Sequence, residues 1–440
     1  MPNRRDVLRY STLAIAPWLL TALTGCNSVT GDPAVDVEAF LSDELPVSAT
    51  VSIALCGPDS LLYSSGFGMA DRENNEPATQ RTVYDIGSVT KQFTAAAVLT
   101  LEARGALRVA DPVSVHLPGW NGPDITVHQL LTHTSGLGDQ PGGDYDVLHR
   151  DDLEAWAASA PVSAKPGTRY RYSNLGYSLL AAVIEVVSGG GYEEYLHEHL
   201  FRPAGMLHTG YVIPSWPSRT VAVEYDAEGA RHGRPHERTW ADDGPYWNLR
   251  GNGGVLSTVT DMARWHTALQ GDAVLDRESR KKLFTAHVPE ENEPTWYGYG
   301  WVIGEESGHR IAWHNGGNDR SYSEMWRDLD DQTAIVWCTN QVASSSDGWN
   351  LEEVGITDAA VSSFHALSGT HAVTNFTTSA SYAAGFSFHE AVCPAVVVTS
   401  VRRSSGTASA KSRVAPTSTV SSATSANSRT GVTIREAKSR

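Results

Sequence analysis

The chain has 440 residues and a formal net charge of −16 at pH 7, unevenly spread. Residues 401–440 hold eight Lys/Arg against the single acid Glu436, which is +7, so residues 1–400 carry −16 − 7 = −23. So acidic a body argues against nucleic acid as a partner, and the length fits one large domain with tails or roughly two to three ordinary ones.

Residues 1–26 read as an export segment, set apart from the fold. Arg4 and Arg5 head a charged stretch, residues 10–23 are apolar but too short for a comfortable membrane span, and Leu-Thr-Gly-Cys closes the segment at Cys26. The ending resembles a lipobox and the whole resembles a twin-arginine lipoprotein signal, with Val7 where phenylalanine is commoner. This implies lipidation at Cys26, a tether over residues 27–34, and a protein exported and lipid-anchored on the outer face of the cytoplasmic membrane. Ordinary secretory export, or an uncleaved anchor, leaves the domain on the same side.

Residues 36–45 have the spacing of a short amphipathic helix, and strands follow at 49–56 and 61–68 around a Gly-Pro-Asp-Ser turn. Residues 91–101 are helix formers between Gly87, a loop residue, and Gly105, a C-cap. Ser88 and Lys91 thus share a face at the helix start, with Cβ atoms roughly 5–6 Å apart. A serine hydroxyl becomes a good nucleophile when a base takes its proton, and a desolvated lysine is such a base. The helix N-terminus adds N–H groups that favour developing negative charge. Taken alone, Ser-x-x-Lys is a common spacing and equally describes an exposed helix start.

Residues 125–137 read as a helix ending at a glycine, with loop over 138–143. A Pro-Gly turn at 166–167 then delivers Tyr172, Ser173 and Asn174 to a helix in which Leu179, Leu180, Val183, Ile184 and Val187 recur at helical spacing. Residues 250–258 are glycine-rich without the Gly-x-Gly-x-x-Gly spacing of a dinucleotide loop, so they read as close backbone packing ahead of a helix over 259–269 capped by Thr258 or Ser257. Strands at 296–303, 310–313, 321–327 and 332–339, with only turns between, make an antiparallel sheet. His314, Asn315, Gly316 and Gly317 fall in one of those turns, where the Gly317 N–H is a candidate oxyanion donor.

A closing helix spans 351–367, and residues 368–440, rich in Ser, Thr and Ala without a period, read as a disordered tail. Besides Cys26 there are Cys56, Cys338 and Cys393; Cys56 and Cys338 end apolar strand-like runs, as buried thiols or as a disulfide pair. No spacing resembles a metal site, because His197 and His199 stand at i and i+2 on a helix and face different directions.

Ser88-Val-Thr-Lys91, Tyr172-Ser-Asn174 and His314-Asn-Gly316, in this order, resemble the three active-site motifs of the serine β-lactamase and penicillin-binding-protein superfamily. The nearest resemblance is to its class C β-lactamase-like branch of esterases and D-peptidases, and similar stretches at 130–137, 201–206 and 253–258 extend it. It implies an α/β (α+β) β-lactamase/transpeptidase-like domain over residues 35–367, an antiparallel sheet flanked by helices plus a mainly helical subdomain. In that reading Ser88 is the acylated nucleophile, Lys91 its activating partner, and Tyr172 a general base kept near phenolate by Lys91. Asn174 contacts substrate, the N–H groups of Ser88 and Gly317 form an oxyanion hole beside Gly316, and no metal or organic cofactor is needed.

His314 departs from the pattern. Many members of the superfamily carry lysine there to grip a substrate carboxylate, whereas a histidine of ordinary pKa near ~6.5 is mostly neutral at pH 7. The resembling esterases and peptidases often carry histidine. The expectation is a serine hydrolase acting on a small-molecule ester, amide or peptide. The alternatives are a β-lactamase or D,D-carboxypeptidase acting on cell-wall peptides, and a penicillin- or peptide-binding module that acylates slowly or not at all. His133 and Trp265 read as structural.

Overall fold

The computed structural model describes residues 33–217 and 219–368. The export segment with Cys26, the tether as far as residue 32, Cys393 and the tail from residue 369 lie outside the described residues. Helix α1 (Pro33–Glu44) begins inside the stretch read as tether.

Strand β1 (Val51–Cys56) is buried along its whole length, so the sheet it belongs to is covered on both faces. Its side chains divide by the two-residue period of a strand. Val51, Ile53 and Leu55 join one apolar cluster with Val37 and Leu41 of α1, while Ala54 and Cys56 join the larger cluster on the other face. Strand β2 (Leu61–Phe67) completes the expected hairpin. Next come helices α2 (Thr90–Ala103), α3 (Val127–Leu131), α4 (Asn174–Ser188), α5 (Val259–Ala268) and α6 (Arg277–Leu283). The other strands of the large sheet are β3 (Val288–Pro289), β4 (Trp296–Tyr297), β5 (Val302–Glu306), β6 (His309–Gly317), β7 (Tyr322–Asp328) and β8 (Ala334–Thr339). Helix α7 (Ile356–Ser368) closes the described chain and packs with α1.

The eight strands form one antiparallel sheet in the order β2-β1-β8-β7-β6-β5-β4-β3. Helices α2, α4 and α5 contribute to the larger cluster, which makes the expected helical layer on that face. Ten consecutive residues of α4, Leu175 to Ile184, are buried, which marks a core helix apolar all round. Ser173 caps α4 by accepting the Gly176 N–H, a contact worth about 1 kcal/mol, and Gly189 at φ 74° ends it.

Three local expectations are corrected. The helix read over 125–137 contracts to α3, because Thr126 and Gln129 close a capping box at its start and His133 adopts φ 56° soon after Leu131. The strand read over 296–303 divides into β4 and β5, with Gly300 at φ 73° between them. The His314–Gly317 stretch is no turn: it is the second half of β6, still paired with β7 to its last residue. Cys56 and Cys338 are free, buried thiols, since Cys56 lies opposite Ala334 and Cys338 opposite Ser52, on different rungs of the β1–β8 ladder.

Candidate active site

Ser88 is delivered by a single 3-10 turn, Gly87–Val89, that leads into α2. The turn is pinned from two sides. Ser323 Oγ of β7 donates to Ile86 O at 2.8 Å, and the Ile86 N–H donates to Val255 O at 3.0 Å. Backbones meet here more closely than side chains permit. Gly87 sits at φ 49°, and a Cβ on it would lie 2.4 Å from Gly317 N; a Cβ on Gly316 would lie 2.2 Å from Ser88 N.

The same contact brings two N–H groups together. Strand β5 pairs with β6 only as far as Trp313, so the later residues of β6 have an open edge on that side. The Arg310 and Asn318 rungs of the β6–β7 hairpin are hydrogen-bonded, Leu329 N–H to Arg310 O and Asn318 N–H to Ser321 O. By the alternation of an antiparallel ladder, the Gly317 N–H therefore points away from β7, toward the edge where Ser88 lies. The Ser88 N–H, in the first turn of a helix, lacks an intrahelical acceptor.

Lys91 is fully buried, yet its Nζ meets three oxygens: Ser88 Oγ at 2.9 Å, Asn174 Oδ1 at 2.8 Å and Asn252 O at 2.7 Å. Burial holds the amine well below its ordinary pKa, with Asp144 pulling weakly the other way. No carboxylate ion-pairs with it among the described residues. A neutral amine has two N–H groups and one lone pair. With its proton shed, the amine would give both N–H groups to the Asn252 carbonyl and the Asn174 amide oxygen, which can only accept, and turn its lone pair to the Ser88 hydroxyl. Asn252 is not singled out within the glycine-rich stretch 250–258, where no local pattern marks it. Its carbonyl is aimed by its own amide, which donates to Ser178 Oγ and to Asn248 O, both at 2.8 Å. The glycine-rich stretch packs as closely as expected, with a Cβ on Gly251 falling 2.6 Å from that of Ala181 on α4.

Tyr172 completes the cluster, its ring centre 4.8 Å from Lys91 Nζ. Burial pushes its phenol above the ordinary value, while a hydrogen bond with Ser88 pulls down. Burial thus works against the phenolate that the resemblance implies, and the Ser88 hydrogen bond works for it.

His314 lies on the floor, 3% exposed, its Nδ1 2.5 Å from Asn315 O and its Nε2 3.1 Å from the Tyr297 hydroxyl. The carbonyl can only accept, so the proton is on Nδ1, and burial and then Lys91 hold the ring down to about 3. It offers no positive charge at neutral pH. His133, read as structural, stands directly behind Tyr172, with ring centres 4.3 Å apart and Nδ1 accepting the Ser173 N–H at 3.0 Å. Trp265 is a core residue, donating from Nε1 to Gln92 Oε1 at 3.2 Å.

The fold thus gathers Ser88, Lys91, Tyr172, Asn174, His314, Gly316 and Gly317 in one place, and adds Asn252 and His133. At the opposite end of β6 the ligand atoms of His309, Asp328 and Asp331 lie within 4.8 Å of one another, a grouping that sequence spacing does not reveal. There His309 Nδ1 is 2.8 Å from Asp328 and 3.7 Å from Asp331.

Residues 44–353 match the Beta-lactamase family. The chain belongs to that family. Among its relatives are a protein called putative penicillin-binding protein PbpX of Bacillus subtilis, 32% identical over 271 residues, and penicillin-binding protein 4* of the same organism, 30% identical over 297 residues. These matches take in 61% and 64% of this chain and 66% of the length of each relative. Of solved structures, the penicillin-binding protein homologue from Pyrococcus abyssi superposes with a TM-score of 0.64 at 26% identity over 74% of this chain and 76% of that one. A D-amino acid amidase from Ochrobactrum anthropi shares the fold, with a TM-score of 0.63 at 23% identity over 76% and 99% of the two chains. The family is one of serine hydrolases and penicillin-binding-protein-like proteins, and the antiparallel sheet with its helical layer is the family's fold.

Proposed function

We propose that this beta-lactamase-family protein hydrolyses an ester or amide of a small molecule or peptide through an acyl-enzyme on Ser88. The observation that carries this reading is the buried Lys91 Nζ, 2.9 Å from Ser88 Oγ and held by two further acceptors, Asn174 Oδ1 and Asn252 O, with burial lowering its pKa. Lys91 takes the Ser88 proton as Oγ attacks the carbonyl carbon, and the carbonyl oxygen becomes an oxyanion between the N–H groups of Ser88 and Gly317. Tyr172 then gives its phenolic proton to the departing oxygen or nitrogen and recovers one from the Lys91 ammonium. Water follows the same route in reverse to release the acid and restore Ser88. Asn174 and His314 present a polar, uncharged surface to the substrate.

The test is intact mass after incubation with a fluorophosphonate, alongside p-nitrophenyl ester hydrolysis, for wild type and Ser88→Ala. Labelling and turnover are expected in the wild type and absent from the variant. A wild type that neither labels nor turns over removes the reading and leaves a binding module.

A β-lactamase or D,D-carboxypeptidase activity is the second reading, favoured by the penicillin-binding-protein names of two relatives. Neutral His314 speaks against it, because a substrate carboxylate finds no fixed cation there. Steady nitrocefin turnover by the wild type would reverse that order. We also propose that the protein works outside the cytoplasm, held to the membrane through Cys26, on the strength of the Arg4-Arg5 and Leu-Thr-Gly-Cys sequence. Membrane fractionation of Cys26→Ser against wild type tests this, with release of the variant as the expected result.

A further inference from the structure

The turn that carries Ser88 has a third anchor, in the chain just before it. Tyr84 and Asp85 pair with Ser257 and Leu256, which fixes the backbone at Asp85. From there the buried Asp85 side chain reaches forward, and its Oδ1 accepts the Gly87 N–H at 2.8 Å. A carboxyl that accepts an N–H two residues on makes an Asx turn, here around Ile86. Gly87 sits at φ 49° and directly precedes Ser88, so this hydrogen bond holds the residue whose next peptide carries the Ser88 N–H. The other oxyanion donor is backed in a similar way. Asn318, which follows Gly317, donates from Nδ2 to Glu224 Oε1 at 3.1 Å, and the buried Glu224 ion-pairs with Arg238.

Glu224 and Arg238 act on the Asp85 carboxyl, as do Asp144 and Tyr145 from the loop beside Asn318 and Cys338 from β8. Burial and then Glu224 push the carboxyl up to about 7, against the pull of the Gly87 N–H and of Arg238. Burial raises Asp144 as well, and it keeps the Tyr145 phenol and the Cys338 thiol neutral. Arg238 is already paired with Glu224. Asp85 therefore gains its charge near neutral pH, one residue behind the nucleophile turn.

We propose that Asp85 is a positioning residue for acylation: its carboxyl fixes the nucleophile turn through the Gly87 N–H, and its ionisation slows formation of the oxyanion beside Ser88. This rests on the acyl-enzyme reading of Ser88. Without the acceptor, the buried Gly87 N–H loses its partner, and nothing in its own side chain holds the left-handed conformation that aims the Ser88 N–H. The aim of that donor matters in the transition state, where the oxyanion exists, more than in the bound substrate. Charge acts separately from aim: an anion behind the Ser88 N–H opposes a second anion forming in front of it, so the neutral carboxyl is the faster form.

Hydrolysis of a p-nitrophenyl ester and the rate of fluorophosphonate labelling of Ser88 are compared for wild type, Asp85→Ala and Asp85→Asn. Asp85→Ala, which removes the acceptor, is expected to lower kcat and the labelling rate by about 10–100-fold with KM changed by less than about threefold. Asp85→Asn, which keeps an acceptor oxygen, should recover most of that loss. Wild-type kcat in Asp85→Ala, or a loss that Asp85→Asn leaves in place, overturns the proposal. The second arm is the pH profile. The ratio of kcat/KM for wild type to that for Asp85→Asn is expected to fall by about tenfold as pH rises through about 7, because only the wild type gains the charge. A ratio that stays constant across that range overturns the proposal, even if Asp85→Ala does not fold. A wild type that leaves Ser88 unlabelled removes the acyl-enzyme reading and this proposal together, so the two failures are told apart.

Discussion

Lys91 and Arg327 are both side chains withdrawn from water, at 0% and 3% exposure, and neither forms an ion pair with a carboxylate among the described residues. The same desolvation has opposite consequences for them. Burial lowers the pKa of an amine, so the desolvation that would be a liability elsewhere moves Lys91, 2.9 Å from Ser88 Oγ, toward a base. A guanidinium keeps its charge, so Arg327, drawn down only to about 9, remains a cation in the core at neutral pH. Their partners fit the difference. Lys91 meets three fixed oxygens, whereas Arg327 meets two aromatic faces and leaves two nitrogens unpaired.

The sharpest way to break this comparison is to put the second kind of cation in the first kind of place. Lys91→Arg is expected to lower kcat/KM for a p-nitrophenyl ester by about 10³-fold or more, because a permanent cation cannot accept the Ser88 proton. Activity within tenfold of wild type would show that Lys91 acts as an ammonium. Tyr172→Phe follows, with an expected loss of about 10²–10⁴-fold if its phenol relays the proton to the leaving group. If acylation by the fluorophosphonate survives in this variant while turnover falls, the relay belongs to the later step.

Gly316→Ala pushes a methyl to within 2.2 Å of Ser88 N and is expected to cost about 1–3 kcal/mol of stability, together with slower labelling of Ser88. Unchanged unfolding and labelling would mean that the β6 backbone can back away from the helix start.

At neutral pH the smallest effect on stability comes from the titration of His314, which acts only in acid. Its folded pKa of about 3 lies below the ordinary value, so between about pH 3 and 6.5 the unfolded state binds the extra proton. Stability from this residue is complete above that window and declines as pH falls through it, by at most about 1.4 kcal/mol per pH unit. His314→Gln should therefore flatten the fall in Tm on acidification. A variant as acid-sensitive as the wild type would assign the sensitivity to His266, which is held down in the same way.

Most of the sheet was legible because strands buried on one or both faces carry their signal locally, in runs such as 51–56 and 334–339. Helix α4 was legible for the same reason, through its apolar spacing and its terminal glycines. The failures share a cause. Residues 314–317 read as a turn because glycines disfavour strands in isolation, yet they belong to β6, since only glycine lets that strand press against the turn before Ser88. Residues 132–137 kept a helical composition, but the cap at Thr126 and the left-handed His133 serve the support of Tyr172.

By itself, then, the sequence determined the order of elements, the membership of the family and the residue types at the site, because each depends on patterns a few residues long. The tertiary structure alone decided their charges. Burial lowers Lys91 and His314 and raises Tyr172, and the groups around them come from other parts of the chain, Asn252 beside Lys91 and Tyr297 beside His314. Protonation answers to burial and to the partners at hand, and neither can be read before the chain has folded.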